Sequence, residues 1–423
     1  MKFTESFIKT SKSVNSDLES VNARLLIQAG FIHQEIAGVY TLLKLGLRVL
    51  NNIEAIVRKE MDKIGFEIIM PSLSSKSNWE QTKRIDSVDV LLKATGANKL
   101  SIERNQTEYI LNSTHEEIIT PLVQKFVKSY KDLPIYVYQI QTKFRNEARA
   151  KSGLLRTREF RMKDLYSFHK SEKDLLSFYE KVKEIYKNIF NEVGIGDDTY
   201  LTYASGGDFT TGYSHEFQTV LEKGEDTIYL DKKNNIAYNR EVTSEEDAEK
   251  FHVDFSSLEV VKASEVGNIF PLNTKFSKAF DFTYVNEIGE QMPIYMGSYG
   301  IGTSRLIGVI AEKFADEKGL VWPFNIAPYK FHIITLHGDN TVEESSKIYE
   351  ILGEDNCLLD DQINKSAGEK FNDADLIGCP IQIIVSSKNL AQGVIEIRSR
   401  SNKFETFTLA LSEIDLIHSK ICK

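Results

Sequence analysis

Three cysteines, Cys357, Cys379 and Cys422, stand far apart in the 423 residues and form no CxxC pair. Their number and spacing argue against a thiolate zinc site and imply reduced structural thiols. No stretch approaches the roughly 20 apolar residues that a membrane helix needs. The opening MKFTESFIKTSKS has no long apolar run before a cleavage-like site, so no secretory signal is read there. A cytoplasmic chain without membrane contact is expected. Internal repeats and low-complexity tracts are also missing. So are the GxxxxGK[ST] spacing of a P-loop and any Ser-His-Asp or Cys-His arrangement.

Positive charge is in short supply overall. Lys and Arg number 52 against 61 Asp and Glu, a net −9 that counts against a generally basic polyanion binder. Net charge is blind to distribution, however. Between positions 143 and 163, Lys143, Arg145, Arg149, Lys151, Arg156, Arg158, Arg161 and Lys163 outnumber Glu147 and Glu159. From charge alone, a solvated surface strand and an anion-binding segment are equally good readings.

The length implies two or three domains. Helices are expected over about 17–29, 45–64, 115–129 and 172–192; in the second, Leu50, Ile53, Val57, Met61 and Ile64 recur at helical spacing before Gly65. Strands are expected at 66–70, 107–112 and 135–144, and near Tyr200, Phe217, Ile228 and Ile294. Strands joined by long connections without regular βα alternation predict an α+β domain, an antiparallel sheet flanked by helices. The tail alternates: strand 330–336, helix 342–352, strand 357–359, helix 367–376, strands 381–385 and 394–398. That predicts a separate small α/β domain beyond a boundary at 323–328, giving domains 1–327 and 328–423. Residues 243–264, acidic and poorly periodic, read as an ordered surface connection.

Two constellations carry chemistry. FRNEARAKSGLLRTREF, residues 144–160, leaves one strand, passes a loop with Gly153 and resumes as a strand. On an extended strand Arg145 and Glu147 share a side, so both are expected to face one cleft. A guanidinium suits phosphate oxygens through its fixed fork of donors. The carboxylate beside it suits an adenine amino group or a magnesium ion; a structural Arg–Glu salt bridge is the plainer alternative for either residue. MGSYGIGTSRL, residues 296–306, reads as a strand entering a glycine-rich turn and then a helix carrying Arg305 in its first turns, an arrangement suited to anions. By itself it is weak, because glycines before a helix often serve packing only.

Together with the segment 65–71, a helix end leading through a strand to Pro71, these resemble the three signature motifs of class II aminoacyl-tRNA synthetases. More narrowly, the chain resembles the bacterial-type prolyl-tRNA synthetases. The resemblance runs through GFIHQEIAGVYTLLKLGLRVL, STHEE, SYKDLPIYVYQIQTKFRNE, REFRMKDLYSFH, SHEF, MGSYGIGTSR and LVWPFNIAP, and into a tail whose LLDD and GEKFNDADLIGCPIQIIV look like an anticodon-binding domain.

The resemblance implies a proline–tRNA ligase that makes prolyl-adenylate from proline and ATP, then loads tRNA(Pro). Arg145 would bind the α-phosphate and the substrate carboxylate. Glu147 would contact adenine, Phe160 would stack beneath it, Arg305 would cover its other face, and Arg156 would close the loop on the phosphates. Thr114 and Glu116 would receive the secondary ammonium, with Met162, Asp164, Tyr166, His215 and Ser298 lining the rest of the pocket. For His215, a satisfied structural histidine on a strand is an equal alternative. Glu216 would hold Mg2+, Asp361 and Lys370 would lie on the anticodon surface, and a homodimer would form through the region 45–71. Zinc, DNA and membrane partners are not expected.

Three positions depart from the family pattern: Ser298 where cysteine is common, Lys44 where proline is, and Gln362 after LLDD where arginine is usual. The 22 or so residues of 243–264 are too short for the large editing insertion many members carry, so editing of mischarged alanine in cis is not expected. A sister seryl, threonyl or histidyl enzyme, or an inactive RNA-binding paralogue, is the alternative. The STHEE and MKDLYSFH strings favour proline, and the presence of Arg145, Glu147 and Arg305 disfavours an inactive chain.

Overall fold

A computed structural model describes residues 1–7, 9–11, 13, 20–150, 152–210 and 212–421. Lys151, Cys422 and the expected start of the first helix at Asp17 lie outside the described residues; that helix is seen over Val21–Gln28. The chain divides into two compact units. One is Ile36–Val39 with Ile53–Val309, and the other gathers Met1–Glu35, Tyr40–Asn52 and Ile310–Lys423. Among the described residues no helix is long and apolar enough to cross a membrane.

The first unit is built on a nine-stranded sheet. Its central strands, in spatial order, are Glu259–Asn273, Tyr295–Ile301, Glu159–His169 and Ile135–Phe144, all antiparallel, with short Phe66–Glu67 added in parallel at the edge. Alternation along these strands gives the sheet two faces with different tasks. One face is covered by the helix Glu172–Val193. Ser171 caps its start, Glu172 and Asp174 favour the positive end of the helix dipole, and Gly194 at φ 91 ends it in the left-handed conformation. Phe178, Tyr179, Tyr186 and Phe190 repeat at helical spacing and pack on the strands, with Tyr136–Phe178 stacked at 4.0 Å and Tyr186–Phe217 tilted at 5.2 Å. The opposite face carries Gln139, Lys143, Phe160, Met162, Asp164, Tyr166, Ser298 and Gly300, and is the one left for chemistry.

At the other end the sheet returns on itself. Tyr213–Val220, Thr199–Ser205, Ile236–Asn239, Asp226–Asp231 and Glu259–Asn273 pair in turn, and the first also pairs with the last. Ile228, Leu230, Ala237 and Ala263 fill the interior of this ring. The expected connection 243–264 is more than a connection. Glu245–Phe251 is a helix whose Ser244 and Asp247 form a capping box, and Glu259 begins the long strand. Its acidity belongs to that first helical turn, and its weak periodicity follows from so short a helix burying little beyond Phe251, which packs on Tyr203, Tyr213 and Tyr238.

The helix Glu116–Gln124 sits over the chemical face and contains Pro121, which cannot bond to the carbonyl four residues earlier. That carbonyl, of Glu117, takes Nδ2 of Asn78 at 2.8 Å instead. Asn78→Ala is expected to cost about 1–2 kcal/mol and to lower the melting temperature by roughly 2–4 °C per kcal/mol, as followed by circular dichroism. An unchanged melting curve would show the carbonyl needs no side-chain donor.

The second unit holds a five-stranded sheet in the order Cys357–Asp360, Phe331–Thr335, Ile381–Val385, Val394–Ser399, Phe407–Ala410. The first three are parallel, joined through Thr341–Leu352 and Ala367–Ile377, as the alternation in the tail predicted. Phe407–Ala410 was not foreseen: its four residues alternate too briefly to stand out. The N-terminal residues extend the sheet edge, where Phe3 N–H donates to Leu359 O at 3.0 Å and Leu359 N–H to Met1 O at 2.9 Å.

Candidate active site

The strand Glu159–His169 puts Phe160, Met162, Asp164 and Tyr166 in one row, and its neighbour pairs Ser298 with Tyr166 and Gly300 with Asp164. Asp164 lies at the centre. Lys143 Nζ is 2.7 Å from its Oδ1, and Gln139 Nε2 and the Tyr166 hydroxyl donate to its Oδ2 at 2.9 Å each. Burial alone would raise this carboxyl, but Lys143, His115 and Gln139 hold it below its usual range. Lys143 is fully buried, its ammonium disfavoured by that burial and supported by Asp164. Lys143 also reaches His115 Nδ1 at 2.6 Å, while His115 Nε2 meets Pro71 O at 3.1 Å. Burial, then Lys143, push His115 down to about 4, so the imidazole is neutral and receives from Lys143. His115 N–H donates to the Tyr166 hydroxyl at 3.1 Å. These bonds fasten the turn at Thr114–Glu116 onto the sheet.

Glu116 opens the helix above this network and is completely buried. The Thr114 hydroxyl donates to it, and Ser298 Oγ donates to Oε1 at 2.8 Å. Neither partner is a cation. The nearest positive charge, Arg84 Nη1, is 3.6 Å from Oε2 and closer to Glu117, at 2.8 Å. The carboxylate therefore has no counter-ion of its own at close range among the described residues, which fits it to a ligand cation.

Arg145 and Glu147 lie beyond the strand, which ends at Phe144, so strand parity does not orient them as expected. Arg145 N–H bonds to Arg158 O at 2.8 Å and Glu147 N–H turns back onto Arg145 O at 2.8 Å. The half-buried Arg145 guanidinium lies 5.1 Å over the Phe160 ring and takes no protein acceptor among the described residues. Burial and neighbouring Arg305 disfavour its charge, the signature of a site built for an anion. Glu147 is paired with Arg156 at 2.7 Å, and Arg156 also approaches Glu225 at 3.6 Å.

The glycine-rich turn expected before Arg305 is mostly strand. Tyr295–Ile301 runs through Gly297 and Gly300, and only Gly302 separates it from the helix Thr303–Phe314. The glycines answer to crowding: a Cβ at Gly297 would fall 2.2 Å from the Tyr299 hydroxyl, and one at Gly300 2.7 Å from Asn268 Oδ1. Arg305 Nη1 donates to Glu265 O at 2.7 Å and lies 3.6 Å from its carboxylate. Glu216 stands in the Asn268–Gly300–Asp164 row. Burial, with Glu265 and Asp226 nearby, pushes it up to about 8. Gln218 and Asn239 donate to its Oε2 at 2.9 and 3.2 Å.

The model of the tRNA synthetase class II core domain (G, H, P, S and T) matches residues 98–314, and that of an anticodon binding domain matches 330–416. Proline–tRNA ligase of Wolbachia pipientis wMel is 37% identical over 95% of this chain and 96% of its own length. That of Anaplasma phagocytophilum is 35% identical over 100% of both. The chain belongs to the proline–tRNA ligase family. Prolyl-tRNA synthetase of Giardia lamblia, solved with prolyl-adenylate, superposes with a TM-score of 0.78 at 21% identity, covering 98% of this chain and 80% of that one. The Cryptosporidium parvum enzyme, solved with L-proline and AMP, gives 0.74 at 19% identity over 95% and 77%. These two likenesses speak for the class II fold with an anticodon-binding domain.

Two residues expected at this ligase's binding surfaces lie elsewhere. His215 alternates with Glu216 and so faces the helix, where its Nδ1 is 2.9 Å from the Tyr179 hydroxyl and its ring packs 4.5 Å from Tyr203. Burial and Lys183 bring it down to about 3, leaving a neutral structural imidazole. His215→Gln is expected to keep the proline KM within about twofold while costing roughly 1 kcal/mol of stability; a tenfold rise in KM would return it to the pocket. Lys370, expected on the anticodon surface, is buried and donates to Thr335 O at 2.7 Å and Asp360 O at 3.3 Å. Its helix faces the sheet there, so the ammonium serves the tail's own backbone. Asp361 accepts from Thr4 N–H at 3.0 Å. Its chain neighbour Gln362 lines a cavity of about 1250 Å³, with Phe3, Thr4, Lys365, Asp373 and Arg398. Sequence reasoning passed over Lys143, His115, Arg84 and Glu117. A lysine on the same strand parity as Gln139 and Gln141, one residue before the end of Ile135–Phe144, was the available signal for the first.

Proposed function

We propose that this chain activates proline with ATP and transfers the prolyl group to the 3′ end of tRNA(Pro). The observation that carries the reading is a juxtaposition on one sheet face: among the described residues, a buried carboxylate, Glu116, has only hydroxyl donors at close range, and a guanidinium, Arg145, has no protein acceptor. A zwitterionic amino acid and a phosphate supply the two missing charges. Glu116 and Thr114 take the secondary ammonium, with Ser298, Met162, Asp164 and Tyr166 around the ring. Arg145 draws the substrate carboxylate and the ATP α-phosphate together. Phe160 supports the adenine, Glu147 contacts its edge, and Arg156 and Arg305 meet the phosphates.

A carboxylate oxygen attacks the α-phosphorus in line, the bond to the β-phosphate oxygen breaks, and pyrophosphate leaves. The terminal adenosine hydroxyl of the tRNA then attacks the prolyl carbonyl. AMP departs and the hydroxyl proton goes to the leaving phosphate or to solvent. No protein nucleophile is needed, because positioning and charge neutralisation lower both barriers. Glu216, with Glu265, would hold Mg2+: the mutual repulsion of two half-buried carboxylates fits a divalent cation, which would supply further neutralisation of the triphosphate.

The polar cavity to which the tail contributes Gln362, Lys365 and Arg398 supports anticodon binding by residues from 328 onward. The short helix within 243–264 replaces any large insertion, which supports the absence of editing in cis. Exposed Phe66 and Ile69, 79% and 77% accessible by the edge strand Phe66–Glu67, support a homodimer through 45–71. A cytoplasmic location follows from the activity.

Amino-acid-dependent ATP–pyrophosphate exchange tests the reading. Proline alone among the common amino acids should support rapid exchange, and no exchange with any of them would refute it.

A further inference from the structure

Beneath the ammonium-binding carboxylate lies a second one that the reaction has not used. Glu116 and Glu117 are consecutive, both completely buried, and share a single guanidinium nitrogen: Arg84 Nη1 is 3.6 Å from Glu116 Oε2 and 2.8 Å from Glu117 Oε1. Arg84 is itself 3% exposed, held between Phe209 at 4.5 Å and Phe276 at 5.2 Å. The Thr82 hydroxyl donates to Glu117 Oε1 at 3.1 Å, but Glu117 Oε2 is buried with no hydrogen-bond donor among the described residues.

The other charged groups around the pair do not supply a second counter-ion. Lys275, on the neighbouring helix Lys275–Ala279, feels both Arg84 and Glu117 and spends its ammonium on Asp208 O. Glu80, on the helix Lys76–Gln81, is at the surface with Lys76. From the sheet below, Lys143 is neutralised by Asp164, the Tyr166 phenol is held protonated by burial, Asp164 and Glu116, and Arg145 is the anion-binding group. Two buried carboxylates thus face one dedicated cation. Such a pair takes up either a proton or a second cation.

We propose that Glu116 and Glu117 hold one shared proton in the substrate-free site, and that the secondary ammonium of the amino acid displaces it to solvent. This rests on the reading of Glu116 as the ammonium acceptor and extends it to Arg84 and Glu117 as positioning residues that make substrate affinity depend on pH. Burial, against Arg84 and with Glu116, pushes Glu117 up to about 7, which puts the exchange in the neutral range. The proton and the amino acid compete. The charge-separated pair that binds ammonium is favoured above this range, and acidification fills the site with protons.

The experiment is pyrophosphate exchange with the full chain from pH 6 to pH 8.5. The proline KM should rise about tenfold from pH 8 to pH 6, with the KM for ATP unchanged. Glu117→Gln fixes the proton-holding charge state: its proline KM at pH 8 should be roughly tenfold above the parent's and flat across the range. A merely structural role would lower activity without removing the slope. If that variant does not fold, calorimetric titration of L-proline into the parent at pH 7 in phosphate and in Tris decides. Heats differing by the release of about half a proton per site support the proposal. Exchange that proceeds with a pH-independent proline KM, or heats equal in both buffers, overturns it while leaving the ligase reading intact. Absence of proline-dependent exchange at every pH overturns both.

Discussion

Arg145→Ala lowers kcat/KM for proline-dependent pyrophosphate exchange by about 10³-fold or more, with the melting temperature nearly unchanged. The two halves of this expectation come from the same observation. The guanidinium makes no hydrogen bond or ion pair to the protein among the described residues, so folding loses only its packing over Phe160 when it goes. Burial and Arg305 make its charge less favourable in the unliganded chain than in water. Its whole return is on the anion. One preorganised donor to developing charge is worth 10²–10³-fold, and a bidentate guanidinium supplies two. Arg145→Lys should recover little, because a point charge cannot bridge carboxylate and phosphate at once. Exchange within tenfold of the parent in Arg145→Ala would remove this residue from the reaction.

Glu116→Gln raises the proline KM by about 10²–10³-fold and also raises stability. A carboxylate that meets a ligand cation in a buried site contributes several kcal/mol to binding, and the isosteric amide keeps the Thr114 and Ser298 contacts while losing the charge. The same change leaves Arg84 with one carboxylate partner, Glu117, so the buried pair no longer has to hold a proton. A small upward shift of the melting temperature, of the order of 2–4 °C, is therefore expected alongside the loss of binding. That opposition between stability and function is common where a site is prepared for a charge it does not itself hold. A KM within threefold of the parent, or a variant that melts well below it, would contradict this account of Glu116.

Much of the fold was legible because it rests on long patterns. The amphipathic run ending near Gly65, the helix Glu172–Val193 and the alternating tail were read nearly to their boundaries. Elements that depend on neighbours were not: Phe407–Ala410 and the helix Glu245–Phe251 have too few residues of their own to announce themselves. Strands near Tyr200, Phe217 and Ile228 were expected, but their closure into a ring rests on pairings with Glu259–Asn273 that only the fold supplies. In the site, Phe160, Met162, Asp164 and Tyr166 were expected from the family resemblance, and the strand's period of two puts them in one row. The same period, applied from Glu216, places His215 on the far face, a step that needs the sheet register and cannot be taken from SHEF alone. Gly297 and Gly300 resemble a turn in sequence because closeness to Tyr299 and Asn268 is invisible there. Arg84 and Glu117 went unread for a related reason: their partner lies in a segment 33 residues away, and only packing brings the two together.

The five strands between Thr199 and Asn273 that pair in a cycle have a consequence for what the chain tolerates. A closed cycle has no loose margin along which it could unzip when a turn is lengthened. The turn between Asp231 and Ile236 lies on this cycle, away from the row that carries the chemistry. A foreign folded module grafted between Lys233 and Asn234 would load only that turn, and loop lengthening there carries a small entropic cost. The molecule therefore has a natural socket, at which cargo can be added or discarded with the catalytic face left undisturbed.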